Sequence, residues 1–278
     1  MGPVRKIIIV LSLIVFCGAG YYIADYVIDN YLAQKDLNDV LDDKMRIGLV
    51  DLHKENEDLI GWVQIKGTRI DYPVMQTPED NEYYLHRNFE KEYSEAGTLF
   101  MDAQSVVADK PRGSEQKTPP GYKFKTYSSD DGTGVDYGSG GTWNWLVYGH
   151  HMKFGTMFHD IMKYESADFY KKHTKFNFNV LRKDPYTGEL YEEAGTYAIV
   201  AAAYSEIYPE DSQYFKYYAY PGSTDEQSFN YFVQGIQAES IYNTGITPEY
   251  GTQLVILSTC AYHTENGRFY IVGARIED

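Results

Sequence analysis

An apolar stretch near the start of the chain governs how everything after it is read. From Ile7 to Ala24 the residues are apolar apart from Ser12, Cys17 and two glycines. That run is about as long as the hydrocarbon core of a bilayer requires of a helix. Arg5 and Lys6 precede it, and Asp25, Asp29, Asp36 and Asp39 follow. Positive charge before the span and acid after it put the N-terminus inside and the bulk of the chain outside. The expected organisation is a cytoplasmic tail over 1–6, a single-pass transmembrane anchor over 7–24, a helical lead-in over 25–58 and an extracellular domain over 59–278. A cleaved signal peptide is the other reading; no small-x-small site follows the run, which favours an uncleaved anchor. Cys17, behind Phe16, is poorly set for lipid attachment and reads as one more apolar residue of the span.

The anchor makes cysteine usage informative. The chain has two cysteines. With Cys17 in the span, Cys260 is the single thiol of the exported part and has no internal disulfide partner. An unpaired thiol in an oxidising compartment is either used for chemistry or buried and inert. Nucleic-acid binding is excluded on charge: a net charge of −15 repels a phosphate backbone, and no basic stripe is visible. The 28 tyrosines suit a β-rich fold with half-buried rings, or a sugar- or peptide-binding surface.

Periodicity supplies the elements. From Tyr31 to Asp58, Leu37, Val40, Leu41, Met45, Leu49 and Leu52 recur at spacings of three and four, which predicts one or two helices. Short alternating runs at Gly61 to Ile65, Arg69 to Val74 and Gly97 to Met101 predict strands. Ala103 to Thr142, rich in Gly, Ser, Asp, Lys and Pro, reads as a long exposed loop. Trp143 to Tyr148 is an apolar strand ended by Gly149-His150-His151, and Thr156 to Tyr164 a short helix. Lys175 to Val180 and Tyr197 to Ala203 are strands. Ser223 and Glu226 have capping-box spacing ahead of Phe229, Phe232, Val233 and Ile236, a helical stripe. Two last strands, Gln253 to Thr259 and Arg268 to Ile276, flank a turn at Glu265-Asn266-Gly267.

Cys260 ends an apolar strand, where a side chain is held rigidly yet opens to a cleft. Attack on an amide needs a thiolate, and so a base or cation close by. His150 also stands at a strand end. Arg268, just past the turn, comes close to the thiol if the last two strands pair, and its guanidinium suits a developing oxyanion. His263, three residues after Cys260, is too close in sequence to swing over it. A zinc site from His150, His151 and His159 is the rival; the first two point apart and no second Cys or clear acidic ligand joins them.

Leu257-Ser258-Thr259-Cys260, followed by Arg268 in an apolar strand, resembles the sortase active-site signature. Tyr148-Gly149-His150-His151-Met152 with Gly155-Thr156-Met157-Phe158 is similar to the histidine segment of class B sortases, and Gly97 to Asp102 to the strand before it. The resemblance runs from about residue 35 to the end. It implies a mainly β fold: an eight-stranded sortase-type β-barrel with N-terminal helices and a helix between the last strands, here Thr224 to Gln237. It implies Cys260 as nucleophile, His150 as general acid/base and Arg268 as oxyanion stabiliser, with neither cofactor nor metal. The implied substrate is a C-terminal sorting motif of a secreted protein, cut between Thr and Gly or Asn. A thioester forms and is resolved by an amine of a peptidoglycan precursor or a pilin. Ser258, Thr259, Ala261, Tyr262, Leu99, Ile207 and Tyr208 are candidate substrate contacts. The long loop over 103–142 departs from the pattern. Two other functions fit the residues: a cysteine peptidase that hydrolyses the motif, and a non-catalytic membrane-tethered binding protein with an inert Cys260.

Overall fold

A computed structural model describes residues 2–110, 112 and 141–276. Most of the loop expected over 103–142 therefore lies outside the described residues. The first element, α1 (Pro3–Ile47), runs unbroken through both the apolar span and most of the expected lead-in. At about 1.5 Å per residue it is about 68 Å long. It ends at Gly48, whose φ of 82° turns the chain into α2 (Leu49–Glu55). A side chain there would be strained, so the glycine separates the two predicted helices. The stripe read from sequence is what packs: Leu37, Val40, Leu49 and Leu52 are buried against the barrel, while Met45 is exposed.

Nine strands follow among the described residues: β1 (Leu59–Gln64), β2 (Asp71–Met75), β3 (Leu99–Met101), β4 (Asn144–Tyr148), β5 (Lys175–Lys183), β6 (Leu190–Glu193), β7 (Thr196–Glu206), β8 (Leu254–Cys260) and β9 (Gly267–Ile276). Their order is β1-β2-β3-β4-β8-β9-β7-β5-β6, and β1 also pairs with β5. That last pairing closes a ring of eight strands and leaves β6 outside it as an extension of β5. The pairs β2–β3 and β4–β8 are parallel and the others antiparallel. Closure removes the exposed edges that an open sheet would carry.

The central strands are apolar throughout because both of their faces are covered. On β8, Val255 and Leu257 face the barrel interior with Trp145, Val147, Phe178 and Ile271. Leu254 and Ile256 face outward, where α4 (Glu226–Glu239) lays Phe229, Phe232, Val233 and Ile236 over them. Burying four such side chains contributes on the order of 6–12 kcal/mol before chain entropy is counted. The helix begins two residues later than the capping-box spacing suggests. Asp225, rather than Ser223, caps it, accepting from the Ser228 amide at 2.8 Å. A carboxylate at that position satisfies an orphan amide and also favours the positive helix end, which the serine hydroxyl cannot match.

The strand β6 has no signal in sequence, since Leu190-Tyr191-Glu192-Glu193 neither alternates cleanly nor runs apolar. Its end is tied by charge: Glu193 pairs with Arg182 and, at 3.2 Å, with Arg275. Burial pushes the Glu193 carboxyl up, but the two guanidinium groups outweigh it and hold it at about 2. The segment predicted as a short helix is a 3-10 helix, Phe158–Glu165, followed by α3 (Ala167–Lys172).

Candidate active site

The period-two alternation of β8 carries past Ile256 to put Ser258 and Cys260 on the outer wall of the barrel. Ser258 Oγ duly meets Tyr217 Oη at 2.6 Å, and Tyr217 belongs to the outer cluster. On β9, Phe269 and Ile271 point inward and Tyr270 and Val272 outward, so Arg268 falls on the outer wall too. Cys260 and Arg268 are direct partners across the antiparallel β8–β9 pair. Directly opposed residues share a face with Cβ atoms roughly 4.5–5.5 Å apart. The Arg268 guanidinium is tied back to its own turn, donating to the Gly267 carbonyl at 3.0 Å.

His150 reaches the same place from β4. Tyr148 is the register partner of Ser258 in the parallel β4–β8 pair, so two residues on His150 stands level with Cys260. Two bonds hold the chain between: the Gly149 amide donates to the Ser258 carbonyl at 3.1 Å, and Thr259 Oγ1 donates to the Gly149 carbonyl at 2.7 Å. The Nε2 of His150 lies 2.8 Å from the carbonyl oxygen of Leu85. A carbonyl only accepts, so Nε2 carries the hydrogen and Nδ1 is left as the basic nitrogen. Burial pushes the imidazole pKa below its ordinary value; the Leu85 carbonyl opposes this, and the neighbouring His86 adds to it. His86 stands with its ring 5.5 Å from that of His150.

Gly149 allows this arrangement by having no side chain. A Cβ there would sit 2.3 Å from Leu99 Cδ2 and 2.8 Å from Phe158 Cδ2, both on fully buried residues. Overpacking of this kind costs about 1–3 kcal/mol. Gly149→Ala is therefore expected to lower the melting temperature and to depress activity together, because relief of the clash moves His150. Thermal melting with a transpeptidation assay checks this, and wild-type values in both would contradict the close packing.

Cys260, His150 and Arg268 line one cleft of about 460 Å³ together with Ser258, Thr259 and Ile207. The remaining sequence candidates lie elsewhere. Leu99 is buried beneath Gly149, and Ala261 is buried with its amide bonded to the Gly267 carbonyl. Tyr262 is 74% exposed and stacks on His151. Tyr208 stacks on Tyr214 and bonds through its amide to Tyr218 Oη. Asn81, Glu82, Leu85, Phe100, Tyr148 and Gly149 complete the lining and are not among the sequence candidates. Phe100 and Tyr148 sit in segments that the sequence marks as strands; the 3-10 turn Tyr83–His86, which brings Leu85, carries no periodic signal.

His151 points away from the cleft. Its Nδ1 lies 3.1 Å from the carbonyl oxygen of Cys260, and its ring sits between Tyr262 and His159. Among the described residues no three His, Cys, Asp or Glu side chains come together to hold a metal ion.

No family model matches the chain. It is 29% identical over 232 residues to sortase B of Listeria monocytogenes, covering 83% of this chain and 74% of that protein. To sortase B of Staphylococcus aureus it is 24% identical over 229 residues, covering 81% and 73%. The crystal structure of sortase B from B. anthracis superposes with a TM-score of 0.64 at 23% identity, over 90% of this chain and 99% of that one. The closed eight-stranded barrel and the helix between its late strands are the fold of that sortase B structure, and both curated relatives are sortases of the same class: the chain is similar to the class B sortases, which are cysteine transpeptidases.

Proposed function

We propose that this protein is held in the membrane by residues 7–24 and cleaves a C-terminal sorting motif outside the cell, with Cys260 as nucleophile. The thiol proton passes to His150 Nδ1, and the thiolate attacks the carbonyl carbon of the motif's Thr. The tetrahedral oxyanion forms beside the Arg268 guanidinium. Its collapse breaks the C–N bond, His150 returns the proton to the departing amine, and a thioester remains on Cys260. An amine of a peptidoglycan precursor or a pilin then attacks the thioester, forms the new amide and restores the thiol. One observation carries this reading: Cys260 and Arg268 oppose each other across β8–β9 in a cleft that also holds His150. The test is to incubate the enzyme with a library of sorting-motif pentapeptides, with and without added amine, and to weigh the acyl-enzyme and its products. An adduct on Cys260 that is converted to an amide when amine is present supports transfer. Hydrolysis alone in the presence of amine would favour a peptidase.

Arg268→Lys is expected to be nearly as damaging as Arg268→Ala. A planar fork anchored to the Gly267 carbonyl keeps its remaining donors aimed, whereas an ammonium keeps the charge and loses the aim. Loss of one oxyanion donor costs on the order of 10²–10³ in rate in other acyl-transfer enzymes. The rates of both variants, read beside their melting temperatures, decide the matter; a Lys variant at close to full rate would reject the oxyanion role.

A further inference from the structure

The barrel does not hang free at the end of α1. Two residues past Ala24, the ring of Tyr26 lies 5.2 Å from that of Phe154, in the turn that follows the histidine segment. At about 1.5 Å per residue this contact is about 3 Å along the helix from the end of the apolar run. Asp29, five residues past the run and so about 8 Å along, is within electrostatic reach of the Tyr93 phenol. The headgroup zone of a bilayer is about 5–8 Å deep on each side. A rigid helix crossing the membrane therefore carries the Tyr26–Phe154 contact into that zone, with Asp29 at its outer edge.

The residues there have interfacial character. Phe154 is 46% exposed and Tyr93 72% exposed, and Lys153 beside Phe154 is exposed as well. On α1, Tyr21 and Tyr22 stand just before the end of the apolar run and Tyr26 just after it, so the three flank that boundary. Aromatic rings settle at the headgroup level, and an ammonium suits lipid phosphate. The turn is also held in shape: Arg69 Nη1 donates to the Phe154 carbonyl at 2.9 Å, and Gly155 takes a φ of +85°.

We infer that the turn at Lys153-Phe154, together with Tyr93, seats on the phospholipid headgroups of the outer leaflet and docks the barrel against the membrane beside α1. The inference rests on α1 being the anchor. It has a consequence for catalysis, because the docked edge leads straight to the cleft: Tyr93 stacks on His86, and His86 stands beside His150. The cleft then opens close to the bilayer surface, where a donor or acceptor tethered to the same leaflet meets it.

The experiment uses the full chain reconstituted into vesicles of phosphatidylcholine and phosphatidylglycerol, with or without bromine on the acyl chains near the headgroups. Flotation with the vesicles reads the anchor. Emission from Phe154→Trp, less that of the parent protein, reads the docking; the native Trp62, Trp143 and Trp145 are buried and subtract out. Tyr186→Trp is the control, since it lies in the β5–β6 turn and β6 packs against α2 at the far end of α1. The expected result is co-flotation, with a marked loss of the added emission in brominated vesicles for Phe154→Trp and none for Tyr186→Trp. Co-flotation with equal emission from Phe154→Trp in both lipids would overturn docking and leave the anchor standing. Failure to float would overturn the anchor and the docking with it.

Discussion

Cys260→Ala is expected to reduce both cleavage and acyl-enzyme formation to background while the melting temperature stays near that of the parent. No other side chain in the cleft supplies a nucleophile of comparable strength: its hydroxyls are Ser258, bonded to Tyr217, Thr259, bonded to the Gly149 carbonyl, and Tyr148, whose pKa burial and the nearby Asp102 raise. Covalent catalysis is lost with its nucleophile, not weakened. The fold loses little, because Cys260 is only partly buried at a strand end and its ladder partners are backbone groups. Removing one sulfur there costs about 1 kcal/mol or less, a typical value for substitutions that open no large cavity. The control is Cys17→Ala. The chain has two cysteines, so that variant holds one thiol. A single alkylation on Cys260, with activity falling in step, identifies the nucleophile by mass. Turnover near the parent rate in Cys260→Ala would put the nucleophile elsewhere.

His150→Ala is expected to lower kcat/KM by about 10²–10⁴, and His151→Ala to leave it within a few-fold. The first corresponds to about 2.7–5.4 kcal/mol of transition-state stabilisation. The two imidazoles are adjacent in sequence but have different surroundings. One lines the cleft, with Nε2 tied to Leu85 and Nδ1 left basic; the other is tied through Nδ1 to the Cys260 carbonyl and packed between Tyr262 and His159. The pH profile adds a second reading. A base must be neutral to take the thiol proton, so kcat/KM rises as His150 loses its own proton. Burial lowers that pKa below the ordinary 6.5, which places the acid limb below pH 6.5. The limb should vanish in His150→Ala and persist in His151→Ala. A dead His151 variant beside an active His150 variant would reverse the two assignments.

The most legible parts of the chain are those whose signal is local. The apolar runs of β4, β8 and β9, the stripe of α4 and the turn between β8 and β9 each follow from a period or a turn residue within a dozen positions. Antiparallel pairing across a short turn then brings Arg268 opposite Cys260 with little freedom in register, which is why an eight-residue spacing reads as proximity. By contrast, β6 lacks any period; it pairs with β5, and its end is held where Glu193 meets Arg182 on that strand and Arg275 on β9. Spacing places the cap of α4 two residues early, because a hydroxyl with capping-box spacing and a carboxylate compete for the same amides and spacing alone does not rank them.

The sequence by itself determined the strand that presents Cys260, the partner strand that presents Arg268, and a chemistry of thiol, imidazole and guanidinium that suits acyl transfer. The tertiary structure decided the rest. It closed the ring through β1 and β5, chose His150 over His151 for the cleft, and brought the Leu85 carbonyl to set the imidazole tautomer. It also joined the apolar span and lead-in into one helix that touches the barrel at Phe154. The physical reason is the same in each case. These features are contacts between backbone or side-chain atoms tens to hundreds of residues apart, several made by carbonyls that every residue carries, so no residue type announces them.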